Sequence, residues 1–305
     1  MTKFKKISYE LHASHYKLEK EELSEFQQTW LRNDTVDYWR HYRMCAPVIP
    51  FAKLNPGSSW ITIGDGRLGL DSVRLKKFEP SLTVLPTDIS TVMLEKAKKI
   101  GLIDSFSNEN AEELSFEDES FDYCFCKESF HHFPRPFIAL YEMIRVARKA
   151  VILIEPADDN KKPWPLLFIE GIKFFTKKII RKEIKSPDYY RFEESGNYVY
   201  TVSERDIQKV AIGLQFPMIG LKYYNDYYEQ GVEILPVDTY SKLFEKVKLK
   251  IQFKDFLCKL GLATYTGVIA VVFKEEPSIE LSQSLKKNGF NLIKLPANPF
   301  LNIGL

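Results

Sequence analysis

The sequence has no long hydrophobic run, no leader-like N-terminus and almost no net charge. Its longest clean apolar run is Val268 to Phe273, far short of the roughly 20 residues that a membrane span needs. The segment from Met1 to Glu10 is polar, so no signal peptide is predicted. A formal net charge of +2 gives no basis for a nucleic-acid partner, which favours a clearly basic surface. We therefore expect a cytoplasmic protein with neither a membrane span nor a nucleic-acid partner.

Cysteine is scarce and forms no CxxC pair. The four cysteines are Cys45, Cys124, Cys126 and Cys258. Cys124 and Cys126 can share one face of a strand, but two thiolates without further ligands do not make a tetrahedral metal site. We expect buried, reduced thiols and no metal, which fits a reducing compartment.

Short apolar segments alternate with helical patterns over about a hundred residues. Strands are predicted at Trp60–Ile63, Ser81–Leu85, Phe121–Cys126 and Val151–Ile154. Helices are predicted at Leu68–Phe78, Ser90–Ile100 and Pro136–Ala147, with Ser90 as an N-cap and Gly101 as a stop. This alternation predicts an α/β fold, a Rossmann-like doubly wound and mostly parallel sheet with helices on both faces.

The character of the chain changes on both sides of this region. Residues 1–57 predict an N-terminal helical lid, and residues 58–156 form the predicted core. Residues 157–240 are rich in Tyr and Phe and show no strand–helix rhythm, which predicts a large insertion after Val151–Ile154, the last strand of this series. Residues 241–305 are predicted to add helices and strands that complete the sheet.

A glycine-rich turn and a later acid have the spacing of a nucleoside site. Gly64, Asp65, Gly66 and Arg67 join the first strand to a helix, where glycine lets the backbone approach a ligand closely. Asp88 follows the next strand, and its carboxylate can accept both hydroxyls of a ribose. The alternative interpretation of Asp88 is a charge that stabilises a helix N-terminus.

These features and three downstream motifs resemble class I S-adenosylmethionine-dependent methyltransferases, and especially their type-11 branch. The segment Asp88–Ala97 is similar to the second motif of the branch, and Asn110–Phe116 to its Asp-Ala-Glu-x-Leu-Pro-Phe segment. Ser120-Phe121-Asp122 and Phe130-His131-His132-Phe133 match two further signatures. The resemblance covers about residues 58 to 156 and implies S-adenosylmethionine as the cofactor.

The resemblance also implies roles for individual positions. Gly64, Asp65 and Gly66 would pass under the methionine and ribose parts of the cofactor, and Asp88 would bind the ribose hydroxyls. The adenine would pack on Ile89 and meet Asn110 and the backbone of Ala111 at its edge. The methionine part would lie beside Cys126 and Lys127. Arg43 or Arg67 could pair with the cofactor carboxylate through a bidentate guanidinium, although solvated helix charges are the simpler interpretation.

Two departures from the family pattern keep other functions open. Thr62 stands where the family has an acid, and the third glycine comes one place late, at Gly69. Gly64, Gly66 and Gly69 have the G-x-G-x-x-G spacing of a dinucleotide site, so an NAD-dependent oxidoreductase remains an alternative. A non-catalytic cofactor-binding or scaffold protein on the same fold is another.

Transfer to a hydroxyl benefits from a base that accepts the proton. The candidates are His132, then His131, then Glu128, all just past the strand predicted at Phe121–Cys126. The aromatic insertion at residues 157–240 would cap the acceptor. Structural histidines are the competing interpretation. The layout, including Glu194–Tyr200, is similar to methyltransferases of bacterial polysaccharide clusters, which implies an O-methyltransferase with a small-molecule or glycan acceptor. The sequence leaves the oligomeric state open.

Overall fold

A single eight-stranded sheet organises the protein. The computed structural model describes residues 3–14, 23–158, 168, 172, 192, 198–238 and 241–300. The strands are β1 (Ser59–Ile63), β2 (Thr83–Asp88), β3 (Ser107–Asn108), β4 (Phe121–Lys127), β5 (Ala147–Pro156), β6 (Met218–Tyr224), β7 (Gly267–Phe273) and β8 (Asn291–Lys294). Their order across the sheet is β3-β2-β1-β4-β5-β7-β6-β8.

The first five strands run parallel and in the order 3-2-1-4-5. This is the arrangement of a doubly wound sheet, in which ligands bind outside the carboxyl ends of the strands where the order reverses. β7 lies antiparallel between β5 and β6, and β8 pairs antiparallel with β6. The predicted mostly parallel, Rossmann-like α/β fold is confirmed.

Helices cover both faces of the sheet. They are α1 (Lys3–Ser14), α2 (Glu25–Thr29), α3 (Val36–Cys45), α4 (Ile49–Lys53), α5 (Leu70–Phe78), α6 (Val92–Lys99), α7 (Pro136–Val146), α8 (Glu204–Gly213), α9 (Lys242–Lys259) and α10 (Ile279–Lys287). One core cluster joins the sheet to α7 and α8, and a second joins the opposite face to α4 and α10. Burial on both faces explains why Val151–Ile154 and all of β7 are continuous apolar runs.

Two predicted helix starts are wrong by two residues. The helix predicted from Ser90 begins at Val92, with Thr91 in the N-cap position. Ser90 lies ahead of the helix, where its N–H donates to Asp88 Oδ1 at 2.8 Å. The helix predicted from Leu68 begins at Leu70, because Leu68 and Gly69 adopt left-handed φ values of 61° and 66°.

The predicted insertion includes a segment that belongs to the sheet. α8 and β6 lie inside the range 157–240, and β6 pairs with β7 and β8. The prediction of an insertion is therefore wrong for residues 204–224. Gly220 and Lys222 interrupt the apolar pattern of β6, which is why the strand was not predicted; the Lys222 ammonium donates to the Asn288 carbonyl at 2.6 Å.

Candidate active site

The turn between β1 and α5 lies at the carboxyl edge of the sheet and requires glycine at two positions. Gly64 has a φ of 72°, and a Cβ there would stand 2.4 Å from Ser129 Cβ. A Cβ on Gly66 would stand 2.6 Å from Asp88 Oδ2. The backbone of this turn therefore lies directly against the Asp88 carboxylate, and only glycine allows so close an approach.

Asp88 ends β2 beside this turn. Its Oδ1 accepts the Ser90 N–H at 2.8 Å. Burial raises the pKa of Asp88 to about 6, although backbone N–H groups of Ser90 and Gly66 favour the carboxylate. Ile89, the next residue, is half-buried. The structure brings Asp88, Ile89 and the glycine turn together as predicted, and Asp88 also fixes the backbone ahead of α6.

The side chain of Asp65 holds the start of α5. Its buried carboxylate accepts the Thr62 hydroxyl at 2.9 Å and the backbone N–H groups of Asp71 and Ser72 at 3.1 and 3.0 Å. These bonds cap the start of α5, and burial raises the pKa of Asp65 to about 7. Only the backbone of Asp65 contributes to the turn. Thr62, which replaces the acid of the family, acts as its hydrogen-bond donor.

The loop after β3 is held by its own acid and by α1. Asn110 Oδ1 accepts the Glu112 N–H at 3.0 Å, and Ala111 beside it is half-buried against the core. The Glu112 carboxylate accepts the Tyr9 hydroxyl at 2.6 Å and Arg135 Nε at 2.7 Å. An adenine that bonded the Asn110 oxygen would therefore compete with an internal hydrogen bond. Tyr9 places α1 across this loop.

A buried ion pair closes the end of β4. Lys127 Nζ lies 2.7 Å from Glu128 Oε2, 2.8 Å from His41 Nδ1 and 4.0 Å from Asp71 Oδ1. Burial alone would lower the pKa of Lys127. The negative charges of Asp71 and Glu128 raise it by more than burial lowers it, so the pKa of Lys127 is above the usual range. Burial raises the pKa of Glu128, but Lys127 and His41 depress it below its usual range. A depressed pKa makes Glu128 a weaker base than a free glutamate.

The two candidate arginines lie in different places. Arg67 NH2 is 3.3 Å from Asp37 Oδ2, and its guanidinium stacks on the Trp30 ring at 4.5 Å. Its Nε is buried and has no hydrogen-bond partner in the described part of the chain. Arg43 instead stacks on the Trp39 ring at 4.9 Å. Arg67 is the better placed of the two for an anionic group.

A carboxylate at the end of β5 organises the histidine pair. Glu155 is fully buried, and its Oε1 accepts the N–H groups of Ser129 and Phe130 at 2.9 and 3.0 Å. Its Oε2 lies 2.6 Å from His131 Nδ1. The ring of His132 packs on that of His131, with centroids 4.0 Å apart. The histidine fixed by a carboxylate is therefore His131, whereas the sequence ranked His132 first.

Cys126 packs rather than reacts. It is fully buried, with Sγ 3.9 Å from Glu155 Oε1, and burial raises its pKa well above the usual range. Cys45 and Cys124 are also buried and, like Cys258, form no disulfide. Within the described residues, no group of three His, Cys, Asp or Glu side chains is arranged to hold a metal ion.

Tyrosines border the histidine pair. The Tyr200 N–H donates to the His131 carbonyl at 3.4 Å, and the Tyr198 ring packs edge-on against Tyr200 at 5.0 Å. Tyr224 ends β6 at the same edge of the sheet. A Cβ on Gly267 would stand 2.3 Å from Tyr224 Cζ, so the ring lies directly against the first residue of β7.

Sequence reasoning gave no role to Tyr9 or Glu112. Glu112 was visible inside the matched Asn110–Phe116 motif, but its partners are distant in sequence. Glu155 directly follows the apolar strand Val151–Ile154. Its hydrogen bonds to the Ser129–His131 turn could not be predicted from sequence spacing.

Comparison with known proteins identifies the central segment. Residues 63–154 match the family model described as a methyltransferase domain. No curated protein matches the sequence. The YcgJ protein from Bacillus subtilis is 19% identical, covers 78% of this chain and 100% of its own, and has a TM-score of 0.48. An S-adenosylmethionine-dependent methyltransferase from Methanosarcina mazei is 16% identical over 72% of this chain and 93% of its own, with a TM-score of 0.42. One from Aquifex aeolicus is 21% identical over 53% and 92%, with a TM-score of 0.33. Residues 63–154 are thus a methyltransferase domain, whose cofactor is S-adenosylmethionine.

The residues at the site fit this cofactor. Buried polar atoms without hydrogen-bond partners among the described residues flank the glycine turn and the end of β2: Trp30 Nε1, Arg67 Nε and Ser90 Oγ. Such groups cost free energy unless a ligand or water satisfies them. Asp88 would accept the ribose hydroxyls and Arg67 would pair with the carboxylate, so the side chains present fit a nucleoside that carries an amino acid.

Proposed function

We propose that this protein transfers a methyl group from S-adenosylmethionine to a hydroxyl of a small molecule or glycan. The observation that carries the proposal is the 2.6 Å contact between His131 Nδ1 and Glu155 Oε2. A buried carboxylate beside Nδ1 favours the tautomer that donates from Nδ1 and accepts at Nε2. A hydroxyl acceptor needs such a base, because it loses its proton as it is methylated.

Each group at the edge of the sheet then has a task. The bound cofactor supplies an electrophilic methyl group on a sulfonium. His131 accepts the hydroxyl proton as the new carbon–oxygen bond forms, and Glu155 stabilises the imidazolium that results. Asp88 holds the ribose diol. The rest of the catalysis is positioning and exclusion of water, which we assign to a lid formed by the N-terminal helices and to the segment at Tyr198–Tyr200.

Several features support a hydroxyl-rich acceptor and a cytoplasmic site. Tyr198 and Tyr200 stand next to His131, and aromatic rings with polar tips suit stacking on a sugar. The predicted polysaccharide-related stretch, Glu194–Tyr200, falls partly outside the described residues. Buried unpaired thiols are the form that a reducing cytoplasm maintains.

The experiment measures S-adenosylhomocysteine release with panels of sugars, phenols and amines, for the wild type, His131→Ala and His132→Ala. We expect hydroxyl acceptors to be methylated and His131→Ala to lower turnover by about 10²–10⁴-fold, the usual contribution of a general base. Cofactor affinity should hold in both variants, and His132→Ala should keep more activity.

Other outcomes would select the alternatives. A loss confined to His132→Ala would make His132 the base. Methylation of amines alone would refute O-methylation. Cofactor binding without turnover on any acceptor would favour a non-catalytic protein, and binding of NAD in place of S-adenosylmethionine would favour an oxidoreductase.

A further inference from the structure

Helix α9 is apolar on two opposite faces. Its inner face packs into a core cluster through three residues: Phe244, Val247 and Ile251. Its outer face carries four large apolar side chains with exposed fractions of 54–61%: Leu249, Phe253, Phe256 and Leu260, the last at the C-cap. The inner face explains how α9 packs on the protein, whereas the outer face leaves large apolar side chains in contact with water, as surfaces that bind a partner do.

The four outer residues form one line along the helix. Their spacing is i, i+4, i+7, i+11, which keeps them on a single face. Leu262 follows immediately, with its N–H bonded to the Leu257 carbonyl, and is also exposed. Single exposed apolar residues are ordinary on a protein surface, but an aligned row of large ones marks an interaction site. We call the row from Leu249 to Leu260 the outer stripe.

Lysines border the outer stripe on both sides. α9 holds six lysines against two acids, Glu245 and Asp255, although the whole chain has a formal net charge of only +2. Lys246 pairs with Glu229, and Lys248 pairs with Glu245 at 2.5 Å. The other four lysines of α9 form no ion pair with an acid among the described residues: Lys242, Lys250, Lys254 and Lys259.

The outer stripe and the lysines beside it together indicate which of two partners covers this face of α9. A second copy of the chain would set its own outer stripe against this one and bring lysine rows face to face, which like-charge repulsion disfavours. An anionic bilayer accepts leucine and phenylalanine at the level of its headgroups and attracts the lysines. We propose that α9 docks the protein flat onto an anionic lipid surface. The proposal goes beyond methyl transfer and does not depend on it.

The docking is interfacial. No helix in the described part of the chain is long and apolar enough to cross a bilayer. The contact joins a folded helix whose inner face stays packed on Val36 and Val232. Because the outer residues are already exposed, their replacement should leave the fold and cofactor affinity intact.

The test is co-sedimentation of the full chain with vesicles of phosphatidylcholine alone or containing about one third phosphatidylglycerol. We expect binding to the anionic vesicles at least about tenfold tighter than to the neutral ones, weakened by high salt. Leu249→Ser and Phe253→Ser should each weaken binding by about tenfold. Lys242→Gln and Lys250→Gln should each weaken it by about fivefold. Ile279→Ser, on α10, is the matched control because Ile279 is 76% exposed, and it should bind like the wild type.

Light scattering on the same proteins tests the rival occupant. A wild-type dimer that Leu249→Ser converts to monomer would show that a second copy covers the outer stripe, and would overturn the proposal. Equal binding to both vesicle types, no binding to either, or variants that bind like the wild type would overturn it as well.

Discussion

At the residue scale, the Asp88 carboxyl makes cofactor binding sensitive to pH. Burial raises the pKa of Asp88 to about 6, above the ordinary value, so the group gains a proton as pH falls through about 6. Protonation removes the charge that accepts the ribose hydroxyls. We expect affinity for S-adenosylmethionine, measured by calorimetry between about pH 5 and 8, to fall at the acidic end.

Asp88→Asn separates this effect from other titrations. The variant should lose about 1.5–3 kcal/mol of cofactor binding at neutral pH, the range for hydrogen bonds to charged groups. Its affinity should also lose the step near pH 6. The sign for folding is opposite: a carboxyl with a raised pKa makes the ligand-free fold less stable as pH rises towards 6, so the variant should not be destabilised at pH 8. An unaltered affinity would show that Asp88 does not bind the cofactor and serves only to accept the Ser90 N–H.

The Glu155 carboxylate should matter for turnover rather than for cofactor binding. Glu155→Gln presents an amide group to His131 Nδ1, which favours the other tautomer and removes the acceptor at Nε2. We expect kcat to fall by about 10²–10⁴-fold, while the dissociation constant of S-adenosylmethionine stays constant.

Asp122→Asn is a matched control for Glu155→Gln. Asp122 also accepts a backbone N–H, from Ser59 at 3.0 Å, but it lies at the opposite end of β4. Similar losses of kcat in both variants would assign the effect to the fold.

Single residues could be predicted from the sequence where one physical requirement, such as a close approach of the backbone, decides the residue type. Gly64, Gly66 and Asp88 follow from the close approach of a turn to a ligand, and the structure brings them together. Arg43 and Arg67 could not be told apart, because their difference depends on which aromatic ring each one covers. The choice between His131 and His132 likewise depends on Glu155, a residue from another strand.

At the scale of elements, the turn between β1 and α5 couples backbone shape to cofactor affinity. Gly66→Ala would place a Cβ 2.6 Å from Asp88 Oδ2 and displace the carboxylate. We expect cofactor affinity to drop by about tenfold or more, the worth of one good hydrogen bond, as measured by calorimetry.

Gly213→Ala provides the comparison at the end of α8. A Cβ there meets nothing within 4 Å, so affinity should be unchanged. If Gly66→Ala binds as well as this control does, Asp88 does not need its present position.

Elements with strong local signals were predicted and those defined by partners were not. Val151–Ile154 is continuously apolar and lies within β5 as expected. β6 was not predicted because Gly220 and Lys222 interrupt its pattern of apolar residues. Its pairing with β7 and β8 holds these two residues in a strand. Ser90 was predicted as a helix cap, but Thr91 occupies the N-cap position and Ser90 belongs to the turn that Asp88 holds through the Ser90 N–H.

At the scale of the whole molecule, the cofactor should stabilise the fold by mass action. A ligand at 100 times its dissociation constant adds about 2.7 kcal/mol to the free energy of unfolding. For 305 residues this corresponds to a rise of about 4 °C in the melting temperature. Thermal scans with S-adenosylmethionine and S-adenosylhomocysteine should show the rise, and NAD at the same concentration should not. A rise with NAD alone would contradict the cofactor assignment.

The net charge of the whole chain does not reveal the cluster of lysines on α9. The formal net charge of +2 excluded a strongly basic protein, yet α9 alone carries six lysines and two acids. A sum over 305 residues cannot show where the charges lie. The exposed stripe between those lysines was equally hidden, since the spacing of Leu249 and Phe253 does not reveal which side of the helix faces the core.

The position of β7 has a consequence for the order in which the chain becomes foldable on the ribosome. Residues Ala150 to Pro156 of β5 pair with β7, which begins about 110 residues later in the chain. At a synthesis rate of roughly 5–20 residues per second, the edge of Val151–Ile154 waits several seconds or longer for its partner. During that interval the nascent protein presents an apolar, unpaired strand edge, the kind of surface that aggregates or recruits chaperones. A ribosome stalled before Gly267 would therefore carry a chain that contains every residue of the cofactor turn but lacks β7, the partner strand of β5.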